Sequence, residues 1–189
     1  MKWAIVAVCA LLGIAVIIIF FPIVVRNGLI DLDETRTEAW SQIDVQLQRR
    51  ADLIPNLVAT VKGYAAHEDK IFTGIAEARS RMLAARTPTT KAAASGALSS
   101  VLGRLLAISE NYPQLKADST FIRLQDELAG TENRISVARI RYNRTVKTYN
   151  AAIRKFPGHL FAPDMGLEKG EFFEPPEGQN IRDVPEVSF

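Results

Sequence analysis

The chain has 189 residues, 48% of them apolar, and 23 basic against 21 acidic side chains leave a net charge of +2. That length suits one modest domain with an anchor or a tail, and a single cysteine, Cys9, excludes an intrachain disulfide framework or a cysteine-based metal site. The charge is uneven: from Asp164 onward seven acids face only Lys169 and Arg182, so the last stretch carries −5 and the rest +7. Charge alone leaves two readings of this tail, one folded back on the basic body and one solvated.

Trp3 to Val25 is a run of 23 uncharged residues bracketed by Lys2 and Arg26. At about 1.5 Å per residue it crosses a hydrocarbon core of about 30 Å with some tilt. A cleaved signal peptide fits less well, because the run exceeds the usual core of about 7–15 residues and no small-x-small site comes after it. Cys9 has too few residues before it to be a lipoprotein cysteine. The run is read as an uncleaved signal anchor that holds the protein to a lipid bilayer through residues 3–25. Basic residues flank both ends, Lys2 on one side and Arg26 and Arg36 on the other. A very short N-terminal flank usually stays cytoplasmic, which places the body on the extracytoplasmic side of the membrane.

Asn27-Gly28 is a weak join between this helix and the body of the protein. From Leu29 onward, apolar residues recur at spacings of three and four: Leu32, Ala39, Trp40, Ile43, Leu47, Ile54, Leu57, Val61, Ile75 and Met82 among them. This pattern predicts a helix over roughly residues 30–85. Pro55 removes a hydrogen bond and clashes with the preceding turn, so a kink is expected there. It also frees the carbonyl of Ala51, which nearby Arg49 or Arg50 can take up. Gly63 and Gly74 are further weak points, each worth about 1 kcal/mol against alanine.

Thr87-Pro88-Thr89-Thr90 reads as a turn. A shorter helix over residues 91–110 comes next, with Leu98, Val101, Leu102, Leu105 and Ile108 as its buried stripe. Asn111-Tyr112-Pro113 breaks it. Asp118 and Ser119 are both good N-cap residues for the next helix. There, steps of seven from Phe121 give Leu128, Ile135, Tyr142, Tyr149 and Phe156. Between them lie Leu124, Thr131, Ala138, Thr145 and Ala152. Large residues thus alternate with mostly small ones along one seam, and the six large residues are expected to be core. Tyr142-Asn143 recurs as Tyr149-Asn150, which sets tyrosines in the seam and amides beside it, placed to bond a facing helix and fix register.

Phe156-Pro157-Gly158 stops that helix. The remainder has no period, yet Leu160, Phe161, Met165, Leu167, Phe172, Phe173, Ile181, Val184, Val187 and Phe189 are too many apolar groups for a freely solvated segment. It is expected to lie extended along the bundle or against a neighbouring subunit.

The predicted fold class is all-α. A single transmembrane helix (residues 1–28) precedes an antiparallel up-down bundle of long helices (residues 29–157) and an extended acidic C-terminal tail (residues 158–189). The bundle has three helices, or four if Pro55 or residues 63–74 divide the first.

No phosphate loop, Walker pattern or nucleophile elbow occurs. His67 and His159 fall on different elements. His67-Glu68-Asp69 could offer metal oxygens at one bend, but a solvated charged turn accounts for it better. Asp126 and Glu127 point in different directions on a helix. Arg134, Arg139, Arg141, Arg144, Lys147, Arg154 and Lys155 form no compact face, so a solvated, salt-bridged surface is favoured and no nucleic acid is expected. Anionic lipid headgroups are the better partner for that surface. No residue is assigned a catalytic, cofactor-binding or metal-binding role, and no cofactor is expected.

Several strings in order carry a resemblance: AWSQIDVQLQRRADLIPNLVATVKGYAAHE (Ala39 to Glu68), NYPQLKA (Asn111 to Ala117), FIRLQDELAGTENRI (Phe121 to Ile135) and RYNRTVKTYNAAI (Arg141 to Ile153). With Phe156-Pro157 and the closing Pro185-Glu186-Val187-Ser188-Phe189, they resemble the LemA family of bacterial proteins. The resemblance implies an N-terminal membrane anchor followed by a long-helix bundle, and it brings no catalytic residues. The expected function is a non-enzymatic membrane-anchored scaffold that forms a homo-oligomer at the bacterial inner membrane. The alternative is an adaptor that presents clients to a membrane protease or sensor, with other membrane proteins as partners. An enzyme would need a small-molecule cleft near His67 or His159.

Overall fold

The computed structural model describes residues 2–174, excepting the side chains of residues 4–8 and 10. The expected tail positions Ile181, Val184, Val187 and Phe189 lie outside the described residues. Among the described residues every regular element is helical: α1 (Lys2–Lys62), α2 (Asp69–Ala84), α3 (Pro88–Ser109), α4 (Pro113–Lys116) and α5 (Ser119–Arg154), followed by 3-10 turns at Gly158–Leu160 and Pro163–Met165. The chain divides into two compact units. One joins the residues up to Ala39 with Asn143–Gly170; the other joins Trp40–Tyr142 with the segment that starts at Glu171.

The apolar run and the first amphipathic pattern form one helix. α1 passes through Asn27-Gly28 without a break, although these residues were expected to loosen the join. Gly28 is exposed, and its neighbour Leu29 is buried. Burying a leucine contributes about 1.5–3 kcal/mol, more than the roughly 1 kcal/mol that a helical glycine costs. Leu11 to Phe21 are exposed on every side of the helix.

The second unit is a four-helix bundle. Ile43, Leu47, Ile54, Leu57 and Val61 of α1 face Phe72, Ile75 and Met82 of α2, Leu98, Leu102 and Leu105 of α3, and Phe121, Leu124, Leu128 and Ile135 of α5, all of them buried. Cross-helix contacts give its direction. Gln42 meets Arg141 and Arg49 meets Glu127, so α1 and α5 are antiparallel. Lys91 pairs with Asp44 and Ser99 with Arg50, so α3 runs parallel to α1. The helices therefore go up, down, up and down.

The division of the first pattern falls at residues 63–68, after Val61, and not at Pro55. Pro55 is exposed within continuous helix. The carbonyl of Ala51 that it releases accepts a hydrogen bond from Arg79 Nε of α2 at 2.8 Å. An arginine does satisfy it, but from the facing helix, because Arg49 and Arg50 reach Glu127 and Glu132 instead.

α3 starts at Pro88, three residues before the expected Lys91. Thr87 and Thr90 form a reciprocal capping box, and Pro88 fills the first helical position, where its missing N–H costs nothing. α5 starts at Ser119, with Asp118 as its cap. The Asp118 carboxylate accepts from Thr120 N at 2.8 Å and from Phe121 N at 2.9 Å.

The seam of α5 is buried at Phe121, Leu128, Ile135, Tyr142 and Tyr149. Phe156 departs from the expectation: it is 73% exposed. α5 ends at Arg154, so Phe156 lies beyond the helical register and Ile153 is the last α5 side chain to enter the core.

In the first unit, Leu29, Tyr149, Ile153 and Ala162 form the core, with Val25, Leu32, Phe161, Met165 and Leu167 packed around it. The segment after α5 turns back at Gly158. A Cβ there would stand 2.1 Å from the Ala152 carbonyl oxygen, so only glycine permits this approach.

Candidate functional site

A polar site in the first unit holds the segment leading into the tail. Asn150 is buried and faces Gly170 with both ends of its amide: Nδ2 donates to Gly170 O at 2.9 Å, and Oδ1 accepts from Gly170 N at 2.8 Å. Tyr149 donates its hydroxyl to Glu168 O at 2.9 Å. The Arg36 guanidinium lies 4.5 Å from the centroid of the Tyr149 ring and pairs with Asp33 at 2.6 Å. Burial raises the Tyr149 pKa above the ordinary tyrosine value; Arg36 opposes the shift, and Asp33 and Glu168 add to it. The phenol therefore stays a neutral donor. A Cβ on Gly170 would come within 2.9 Å of Arg36 Nη1. The glycine leaves that space to the stacked arginine.

In the second unit Tyr142 donates to Glu171 O at 2.9 Å, and Thr89 donates to the Glu171 carboxylate at 2.9 Å. Trp40 packs against both Tyr142 and Phe173, with ring centroids 5.5 and 6.2 Å apart. Each tyrosine of the Tyr-Asn repeat thus donates to a backbone carbonyl of the C-terminal segment, Tyr149 to Glu168 in the first unit and Tyr142 to Glu171 in the second. The expectation that these amides bond a facing helix is corrected for Asn150, whose partner is the C-terminal segment.

The same bundle buries a cation. Arg50 is 6% exposed; its Nη1 reaches Glu132 at 2.5 Å and Ser99 Oγ at 3.0 Å, while its Nε has no hydrogen-bond partner. Burial lowers its pKa, and the charge of Glu132 partly restores it. Arg50 and Glu132 line a groove of about 210 Å³ whose walls are chiefly Leu57, Leu102, Leu106 and Leu128. The groove joins an apolar wall to one fixed charge pair and holds no nucleophile paired with a base.

The residues weighed for chemistry stay apart. His67 is exposed on the connection between α1 and α2, and His159 is exposed in the turn after α5. No group of three or more potential metal ligands comes together among the described residues. Arg134, Arg141, Arg144, Lys147, Arg154 and Lys155 are exposed and Arg139 is half-buried. Arg134 reaches Glu127 at 4.0 Å, and Arg141 reaches Gln42 at 3.1 Å. Sequence reasoning missed Arg36, Arg79 and Gly170. Arg36 and Arg79 carry no local signal. For Gly170 the signal was the Tyr-Asn repeat, whose partner was placed on the wrong element.

The sequence matches the LemA family over residues 39–189. It is 28% identical to the magnetosome protein MamQ of Magnetospirillum gryphiswaldense, across 85% of this chain and 69% of that protein. Magnetosome protein MamQ 2 of Paramagnetospirillum magneticum matches at the same identity and coverage. Protein LemA of Metamycoplasma hominis is 23% identical, across 87% of this chain and 76% of its own length.

Proposed function

The chain belongs to the LemA family, and on that footing we propose that it is a non-enzymatic structural protein of the bacterial inner membrane, with its bundle on the periplasmic side and joined there to further copies of itself. The observation that carries this reading is the continuity of α1. One helix of 61 residues starts in an apolar run long enough to cross a bilayer and ends as the first helix of a packed bundle. A helix shared in this way by a membrane span and a bundle suits a spacer or scaffold.

Self-association draws on the outer surface. The inward seam is already covered, yet Val45, Val137 and Ile140 remain 61%, 59% and 58% exposed. Val137 and Ile140 are three residues apart on α5 and share a face. Measuring the mass of the full chain in mild detergent by light scattering tests this. A multiple of the protomer mass is expected, and Val137→Lys with Ile140→Lys should lower it without loss of helical circular dichroism. A monomer at every concentration would rule out self-association.

A second reading, an adaptor for a membrane protease or sensor, is favoured by the segment that carries Glu171 and Phe173. Its anchorage to Tyr142, Trp40 and Thr89 would present the rest of the tail from a fixed point. Cutting the chain after Glu174 tests this without removing the anchorage. Loss of partner capture with an unchanged melting curve supports the adaptor, and unchanged capture excludes it.

A further inference from the structure

The turn after α5 has a depth that can be read from its contacts. The Phe161 ring lies 6.5 Å from the ring of Phe21, edge to face. The Arg26 guanidinium carbon lies 5.7 Å from the centroid of the same Phe161 ring. Phe21 belongs to the uncharged run, and Arg26 is the first charge beyond it. Phe161 therefore stands at the level where the apolar surface of α1 gives way to charge. Pro22 and Val25 are half-buried, while the α1 residues between and beside them are exposed.

On this turn Phe156 is 73% exposed and Leu160 54% exposed. The Phe156 ring lies 6.2 Å from that of His159. Arg154 and Lys155, the residues just before the turn, are exposed. Large apolar side chains beside basic ones, at the end of a membrane span, form the composition of a membrane interface. There, apolar groups enter the headgroup–acyl boundary and basic side chains reach anionic headgroups.

We propose that residues 156–161 form a second membrane contact, which inserts Phe156 and Leu160 into the interface of the bilayer that holds α1 and sets Arg26, Arg154 and Lys155 against anionic headgroups. The first unit is then held to the bilayer at two points, and α1 cannot rotate freely about its own axis. This rests on the reading that residues 3–25 cross a bilayer. It also explains why a helix-stopping turn carries exposed Phe and Leu where polar residues would suffice.

The test uses the full chain with Cys9→Ser, reconstituted in nanodiscs, with an environment-sensitive fluorophore on one introduced cysteine: Leu160→Cys, Ile18→Cys or His67→Cys. Lipids brominated near the headgroup or near the chain end serve as quenchers. The probe at 160 should be blue-shifted and quenched at least twofold more than the probe at 67, more strongly by the shallow bromines than by the deep ones. Quenching at 160 equal to that at 67, with 18 quenched, overturns the second contact and leaves the membrane span standing. No quenching at 18 overturns the span and this inference with it. Anionic discs should increase quenching at 160 over zwitterionic discs; equal quenching in both overturns the headgroup assignment.

Discussion

Asn150 holds Gly170 by both of its backbone groups, with 2.9 and 2.8 Å hydrogen bonds that are buried at both ends. One side chain thereby satisfies a buried N–H and a buried C=O at a place where the chain has left regular secondary structure. Asn150→Ala breaks both bonds and leaves both groups without partners in the core, which costs about 2–4 kcal/mol. Thermal melting of the detergent-solubilised protein by circular dichroism should show the loss. A melting curve like that of the parent would mean that the clasp carries no stability.

Two glycines should respond in opposite directions. Gly158→Ala places a Cβ 2.1 Å from the Ala152 carbonyl, a backbone atom that cannot swing aside. The loss should be about 2 kcal/mol or more, as expected for overpacking. Gly28 has nothing within 4 Å of an added Cβ and sits exposed in α1. Gly28→Ala should stabilise by about 0.5–1 kcal/mol. Denaturant titration of the two variants side by side checks the contrast.

Asp118 gives the protein an acid-sensitive helix start. Its pKa is lowered from the ordinary carboxylate value, first by the Phe121 backbone N–H, then by the Tyr64 hydroxyl at 2.9 Å and the Thr120 N–H. A depressed folded-state pKa contributes stability above the unfolded value of about 3.9 and loses it as pH falls through the folded value. The parent should therefore lose stability below about pH 4. Asp118→Ala should start less stable at neutral pH and show a shallower acid dependence. Melting temperatures measured from neutral to acid pH distinguish the two slopes.

Arg50 and Glu132 should prove unequal. Glu132→Ala leaves a buried guanidinium with Ser99 as its remaining partner, whereas Arg50→Met replaces the buried stem with an apolar one and leaves Glu132 half-exposed to water. Glu132→Ala should cost about 1–2 kcal/mol, a figure reduced because one end of the pair is solvated, and Arg50→Met should stay within about 1 kcal/mol of the parent. Urea unfolding of both variants and their double tests this ordering.

Truncation before the clasp should be costly. A chain ending at Pro163 loses the acceptors of Tyr149 and Tyr142 and the partner of Asn150, so two buried tyrosines are uncovered. It should melt well below the parent and bind a hydrophobic dye. Unchanged melting would show that the helices alone supply the stability.

Much of this architecture was legible in the order of residues, because helix formation is read locally. Twenty-three uncharged residues define the apolar start of α1, spacings of three and four define the stripes of α1, α2 and α3, and the seam of α5 is buried from Phe121 to Tyr149. Family membership was legible as well, in uncommon strings that succeed one another in order.

Tertiary structure decided what depends on partners distant in sequence. Pro55 announces a freed carbonyl, but only packing brings Arg79 to Ala51. The Tyr-Asn repeat announces a periodic polar face, but only the returning chain shows that its partners are the carbonyls of Glu168, Gly170 and Glu171. Phe156 continues the seam in sequence, yet α5 stops two residues earlier and its exposed ring lies against His159. A helical period fixes which residues share a face. It does not fix where the helix ends or what arrives to cover it, since those depend on the competition among all the surfaces that the folded chain can bury.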